Sequence, residues 1–173
     1  AGPGSAAVRN HYRRAGRSRM TTYYLDTSAL IKRYVDEAGS RWLRAILNGK
    51  PRPAVVIVHL VIVEVTSALM RRVREGVLTD GEYVRMQDAF RADCLRQYEL
   101  VTAVGDVIAQ ANRLLEAYPL RAYDAVHLAT ALVSNLHLLA NDLPPLAFLS
   151  ADDRLNQAAS AEGLTIDNPN THP

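Results

Sequence analysis

The sequence is sparing with the features that would settle its chemistry at once. It holds one cysteine, Cys94, in 173 residues, so no disulfide can form within the chain, and that economy suits a reducing, cytoplasmic compartment. Long apolar runs are missing too. The longest, "AVVIVHLVIV" from Ala54 to Val63, has ten residues and includes a histidine, about half of the roughly twenty that a membrane-spanning helix needs. It reads as core, and no membrane association is expected. No glycine-rich phosphate loop, internal repeat or low-complexity segment occurs, and no Ser–His–Asp or Cys–His arrangement stands out.

Acidic residues are absent from the first nineteen positions, which hold five arginines. This asymmetry makes the formal charge of +2 misleading: without that stretch, 15 basic residues face 18 acidic ones, a net of −3. "AGPGS" has the look of a cloning scar, and Met20 of a natural start. Residues 1–19 are therefore expected to be a disordered leader or cloning-derived segment, or else a basic arm that touches nucleic acid. The remainder, 20–173, is expected to form one domain, since 49% hydrophobic residues argue against disorder and the length suffices for one buried core.

What is present alternates. "TYYLD" (22–26) is β-prone, and "SALIKRYVDE" (28–37) has helical spacing. Gly39 breaks that pattern, and Ser40 can open a helix through "RWLRAILNG". "AVVIV" (54–58) reads as a strand covered on both faces, followed by a helix that ends at Gly76. Thr79 and Glu82 have capping-box spacing ahead of a helix reaching Arg96. A strand at 98–103, a helix that stops before Pro119, a helix over 120–136, a strand at 146–150, a short helix ending at Gly163 and a last strand in "LTI" complete the pattern. Strands alternating with helices predict an α/β sandwich with a mostly parallel sheet.

Four acids occupy unusual places in it. Asp26 ends the first strand, Glu64 sits in a helical stripe with Leu60 and Ala68, and Asp124 is four residues from both Leu120 and Leu128. Asp152 opens a helix just after the strand "LAFLS". An unpaired carboxylate is costly to bury and escapes by protonation, ion pairing or binding a metal. An oxygen-only ligand set favours Mg²⁺ or Mn²⁺ over Zn²⁺. Spacing alone leaves the alternative open that these acids are separate helix caps and surface ion pairs.

"YYLDTSALIKRYVDEAGS", "VIVEVTSALMRR", "LRAYDAVHLATAL" and "FLSADDRLNQAASAEGL", in that order from about Thr22 to Ile166, together resemble the PIN-domain ribonucleases, and among them the VapC-type toxins of bacterial toxin–antitoxin pairs. The resemblance implies a three-layer α/β/α sandwich with a mainly parallel sheet of about five strands. It places the family's metal-binding acids on Asp26, Glu64, Asp124 and Asp152, holding one or two Mg²⁺ or Mn²⁺ ions. Asp153, one position away, is either a fifth carboxylate or an ordinary first-turn helix acid. Ser28 and Ser150 are supporting residues, by contact with a metal-bound water or by capping. The implied activity is endoribonuclease cleavage by a metal-activated water, with a VapB-type antitoxin as partner and a homodimer as the assembly. A housekeeping RNA-processing nuclease and a catalytically silent PIN-like binding module are the alternatives.

Other residues have two readings each. Lys32, Arg33 and Arg121 are candidates for RNA phosphate contact, or plain solvated charges. His127, three residues after Asp124, is a metal ligand or a packed histidine, and His59 is expected to be structural. Leu43, Ile46 and Leu47, beside Trp42, form part of an antitoxin groove or part of the core. "DTS" opens like a haloacid dehalogenase motif, but Ser28 stands where that motif needs its second aspartate, so a nucleophilic aspartate is not expected.

Overall fold

Five strands carry the architecture: β1 (Thr22–Leu25), β2 (Ala54–Val58), β3 (Tyr98–Val101), β4 (Ala147–Leu149) and β5 (Thr165–Asp167). They form one sheet in the order β3-β2-β1-β4-β5, and every pairing is parallel. The structure, a computed structural model, describes residues 21–172, so the expectation for residues 1–19 lies outside the described residues. Seven α-helices complete the described part: α1 (Thr27–Leu30), α2 (Ser40–Leu47), α3 (Val61–Arg74), α4 (Asp80–Arg96), α5 (Asp106–Ala117), α6 (Ala122–Leu139) and α7 (Asp153–Ala161). None of the described helices is long and apolar enough to cross a membrane.

The two-residue period of the strands divides the core into two slabs. Tyr24, Val56 and Phe148 face one side, where they pack on Val107 and Leu114 of α5, Leu128 and Leu132 of α6 and Leu155 of α7. Leu25, Val55, Ile57 and Leu149 face the other, against Leu30, Leu43, Val65, Leu69 and Phe90. A sheet covered on both sides explains why β2 is buried at every position. This is the expected three-layer sandwich. Leu43 and Leu47 belong to its second slab, which corrects the groove reading of that stripe. Trp42 instead stacks on His172, with ring centroids 3.9 Å apart. This contact ties the chain's end to α2. Gly39, at φ 80°, lets Pro169 approach so closely that a Cβ would lie 2.0 Å from its carbonyl oxygen.

The expected helix over 28–37 is the main departure. Asp26 caps a four-residue helix, which tightens into a 3₁₀ turn at Ile31–Arg33 and stops. The two basic residues of that turn point inward. Lys32, only 4% exposed, donates from Nζ to Glu37 Oε1 at 3.0 Å and to the Ala38 carbonyl at 2.9 Å. Arg33 Nε donates to Asp93 Oδ2 at 2.7 Å, and an Nη donates to Gln97. The expected phosphate contacts from Lys32 and Arg33 thus give way to structural roles.

Asp93 is the hub of that second network. It also accepts from Tyr34 at 2.8 Å, and the Tyr34 and Tyr98 hydroxyls lie 2.6 Å apart. Burial raises the pKa of both tyrosines, so these hydroxyls keep their hydrogens and can donate. Removing the acid leaves a half-buried guanidinium without its counter-charge. Asp93→Ala is therefore expected to cost about 3 kcal/mol in urea unfolding, at the low end for breaking a buried pair. A loss within the ±0.5 kcal/mol usual for surface substitutions would refute the structural role.

Candidate functional site

A parallel sheet built outward in both directions from β1 has a switch point between β1 and β4, where the chain's connections diverge. Crevices at the carboxyl ends of such strands are the usual binding places of this architecture. Asp26 follows β1, and Ser150 and Asp152 follow β4, so they flank that crevice. The four singled-out acids share a local setting: Asp26 caps α1, Asp152 caps α7, and Glu64 and Asp124 lie in the first turns of α3 and α6. A helix start favours negative charge, so each acid has a local reason for its position. The capping alternative is therefore correct as far as it goes, yet it leaves the burial and the shared neighbourhood unexplained.

Asp26 is the most constrained. It is 5% exposed, and its backbone N–H extends the ladder to the Leu149 carbonyl at 3.1 Å. Oδ1 accepts from the Ala29 N–H and Oδ2 from the Ser150 hydroxyl, both at 2.8 Å. The Ser28 hydroxyl lies 2.8 Å from each oxygen. All these partners are neutral, and Asp26 forms no ion pair among the described residues. Burial pushes its pKa above the ordinary range, and nearby His127 and these hydrogen bonds offset only part of that.

Ser28 and Ser150 bridge the crevice. Ser28 Oγ also accepts from the Ala151 N–H at 2.8 Å, while Ser150, fully buried, accepts from the Asp152 N–H at 3.0 Å. Neither hydroxyl caps a helix; both hold the Asp26 carboxylate against the β4–α7 turn. Asp152 Oδ1 caps α7 through Arg154 and Leu155, and its Oδ2 is 3.7 Å from the exposed Arg154 guanidinium.

Glu64 joins from the other side. Its Oε2 accepts from Thr27 Oγ1 and from His127 Nε2, each at 2.7 Å. Burial alone would raise its pKa, but His127 and Thr27 outweigh it and hold the group below the usual carboxylate range. Asp124 is half-buried, and its Oδ2 lies 3.4 Å from the Arg121 N–H. Burial raises its pKa; the Arg121 N–H opposes this and the Asp152 charge adds to it.

Asp153 and His127 each follow one of their two readings, and His59 departs from its expected structural role. Asp153 is exposed and accepts from Asn168 at 2.8 Å, so it is a first-turn helix acid tied to the C-terminal segment. His127 has both ring nitrogens engaged, which removes it as a free metal ligand. His59 is exposed just past the end of β2. Arg121 is exposed, as a phosphate-contacting residue would have to be. Sequence reasoning missed Thr27, Tyr24 and Arg154; the first adjoins Asp26 and the last adjoins Asp153, and neighbourhood to an acid was their only signal.

The donor chemistry fits a hard divalent cation: carboxylates and hydroxyls, with oxygen throughout. The set is not closed, since no three His, Cys, Asp or Glu side chains among the described residues already stand close enough to hold an ion.

Comparison with known proteins agrees with this frame. The family model described as PIN domain matches residues 23–159. Ribonuclease VapC45 of Mycobacterium tuberculosis is 33% identical over 149 residues, covering 85% of this chain and 95% of that protein. Among solved structures, PAE2754 of Pyrobaculum aerophilum aligns with a TM-score of 0.61 at 19% identity, covering 91% of this chain and 90% of its own. A toxin–antitoxin complex from Klebsiella pneumoniae aligns at 0.56 and 16% identity, covering 85% and 97%.

The charge states predict a stability signature without metal. Asp26 and Asp124 have raised folded pKa values, so their contribution is full below the unfolded value and is lost as pH rises through the folded one. Glu64 has the opposite sign: its contribution is present above its unfolded value and lost as pH falls through the lowered one. Asp26→Asn in chelator should therefore raise Tm at pH 7 by about 2–4 °C, the effect of roughly 1 kcal/mol in a domain of this size. The gain should shrink as pH falls through the raised folded value and be gone below the unfolded value, about pH 4. Thermal unfolding at the two pH values checks this, and a destabilised Asn variant at pH 7 would contradict it.

Proposed function

The chain belongs to the PIN domain family, alongside the VapC-type ribonucleases, and from that premise we propose that it is a metal-dependent endoribonuclease and the toxin of a toxin–antitoxin pair. What supports the reading is the buried Asp26 at the switch point, tied through Ser150 to the Asp152 turn, with Glu64 held beside it by Thr27 and His127. A module that only binds would gain nothing from holding a carboxylate there at a cost in stability.

Asp26, Glu64, Asp124 and Asp152 would hold the Mg²⁺ or Mn²⁺, one or two ions per site. Such an ion supplies charge neutralisation at the phosphate and a water of lowered pKa as the attacking nucleophile. The chain's own residues prepare the place. Ser28, Ser150 and the Ala29 N–H fix the orientation of Asp26. Thr27 and His127 keep Glu64 ionised at neutral pH. Carboxylates bind an ion only when deprotonated, so acid conditions should weaken its binding.

An acidic crevice repels RNA, and the exposed Arg121 and Arg154 at its rim are the groups placed to steer phosphates. The net charge of −3 outside the first nineteen residues favours recognition of a particular RNA shape over indiscriminate binding. Water as nucleophile makes a substrate 2′-hydroxyl unnecessary and leaves a 5′-phosphate. The toxin–antitoxin complex among the structural neighbours supports a VapB-type antitoxin as partner, with a homodimer as the expected assembly.

Wild type, Asp26→Asn and Asp124→Asn, assayed on RNA with Mn²⁺, with Mg²⁺ and with chelator, test this. Each variant should lose about 100-fold or more, the scale for removing one electrostatic group from a catalytic centre. Chelator should abolish cleavage. Variants that cleave like wild type, or cleavage indifferent to chelator, would overturn the proposal.

A further inference from the structure

His127 is 2% exposed, and both of its ring nitrogens are used. Nε2 faces Glu64 Oε2 at 2.7 Å and Thr27 Oγ1 at 3.2 Å. Nδ1 faces the Tyr24 hydroxyl at 2.9 Å. A carboxylate oxygen can only accept, so Nε2 carries a hydrogen and donates it. The Tyr24 hydroxyl is then free to donate to Nδ1. Tyr24 is itself immobile: fully buried, it stacks on Phe148 with ring centroids 5.5 Å apart and planes 6° from parallel. A chain of contacts therefore runs from the middle of the sheet, through tyrosine and histidine, to one oxygen of Glu64.

The contacts on Glu64 are one-sided. Both hydrogen bonds, from Thr27 and from His127, fall on Oε2, and Oε1 makes none among the described residues. We propose that His127 is a positioning residue for Glu64: backed by Tyr24, it pins Oε2 and leaves Oε1 as the oxygen presented to a divalent ion. The inference rests on the proposed reading of Glu64 as part of the metal centre.

The arrangement follows from where α6 lies. Asp124 and His127 are one helical turn apart on the same side of α6, so the helix that brings one acid to the crevice also brings the clamp for another. The clamp removes rotamer freedom that Glu64, in the first turn of α3, would otherwise have to lose when an ion binds. Partners of this kind around ligating groups typically matter 10- to 100-fold for metal affinity. A histidine serving only to fill the core would have no such linkage to Glu64.

The test measures Mn²⁺ binding to the full chain by calorimetry, without RNA, alongside kcat and KM on RNA. The variants are His127→Leu, His127→Gln, Glu64→Gln and the double variant His127→Leu/Glu64→Gln. His127→Leu should weaken Mn²⁺ about tenfold or more and lower kcat while KM for RNA holds. His127→Gln, whose amide can donate from nearly the same point, should recover most of the loss. In the Glu64→Gln background, His127→Leu should add little further loss, because the two act as one unit. Wild-type affinity in His127→Leu, no rescue by Gln, or fully additive losses would overturn the inference while leaving the metal centre standing. Wild-type affinity in Glu64→Gln would instead remove Glu64 from the centre, and the inference with it. Should His127→Leu fail to fold, ¹⁵N NMR of the wild-type imidazole decides: a hydrogen on Nε2 is expected, and a bare Nε2 with the hydrogen on Nδ1 would overturn the assignment.

Discussion

A carboxylate kept out of water without a counter-charge is the constraint around which this site is built. Asp26 sits at the end of a fully covered strand, where two serine hydroxyls and one backbone N–H are the groups that touch it. Neutral donors lower the cost of burying the charge but do not cancel it, as the raised pKa shows. Nothing in folding requires that cost, since a neutral side chain could cap α1. The residue is intelligible if a cation completes it. The neighbouring features serve the same end: the β1–β4 crevice, the Ser28–Ser150 bridge, and Glu64 clamped beside it.

Two classes of charge in this molecule behave oppositely. Around Asp93, Glu37 and their partners, positive and negative groups meet at 2.7–3.0 Å, and these pairs hold the 3₁₀ turn and α4 in place. Around the crevice, negative groups meet hydroxyls, amides, one histidine and the rim guanidinium of Arg154, leaving an unneutralised field. The first arrangement is structural. The second suits the proposed uptake of a divalent ion, which would reverse the sign of the local field for RNA.

Most of the fold was legible in the sequence because its signals are local. "AVVIV" gives β2 with the expected ends, and the Thr79–Glu82 capping box opens α4 where its spacing says. The helix over 28–37 was misread for a non-local reason. Its apolar spacing is genuine, but Arg33 is drawn to Asp93, sixty positions away, and Lys32 to the Ala38 carbonyl, so the chain tightens and turns. Likewise, Asp26, Glu64, Asp124 and Asp152 stood out because each acid broke a local apolar pattern. Their partners did not: Thr27 and Tyr24 are unremarkable in a β-strand-to-helix junction, and nothing in spacing reveals that His127 reaches Glu64 across the sheet.

The claim that these four acids form one centre is tested most directly by locating the ion. A crystal of the full chain soaked in Mn²⁺ and measured at the manganese absorption edge would show the ion by its anomalous signal. The account predicts a peak in the β1–β4 crevice in contact with Asp26 and with Glu64 Oε1, while Glu64 Oε2 stays on Thr27 and His127. A crevice with no peak, or a peak bound elsewhere on the chain, would contradict it.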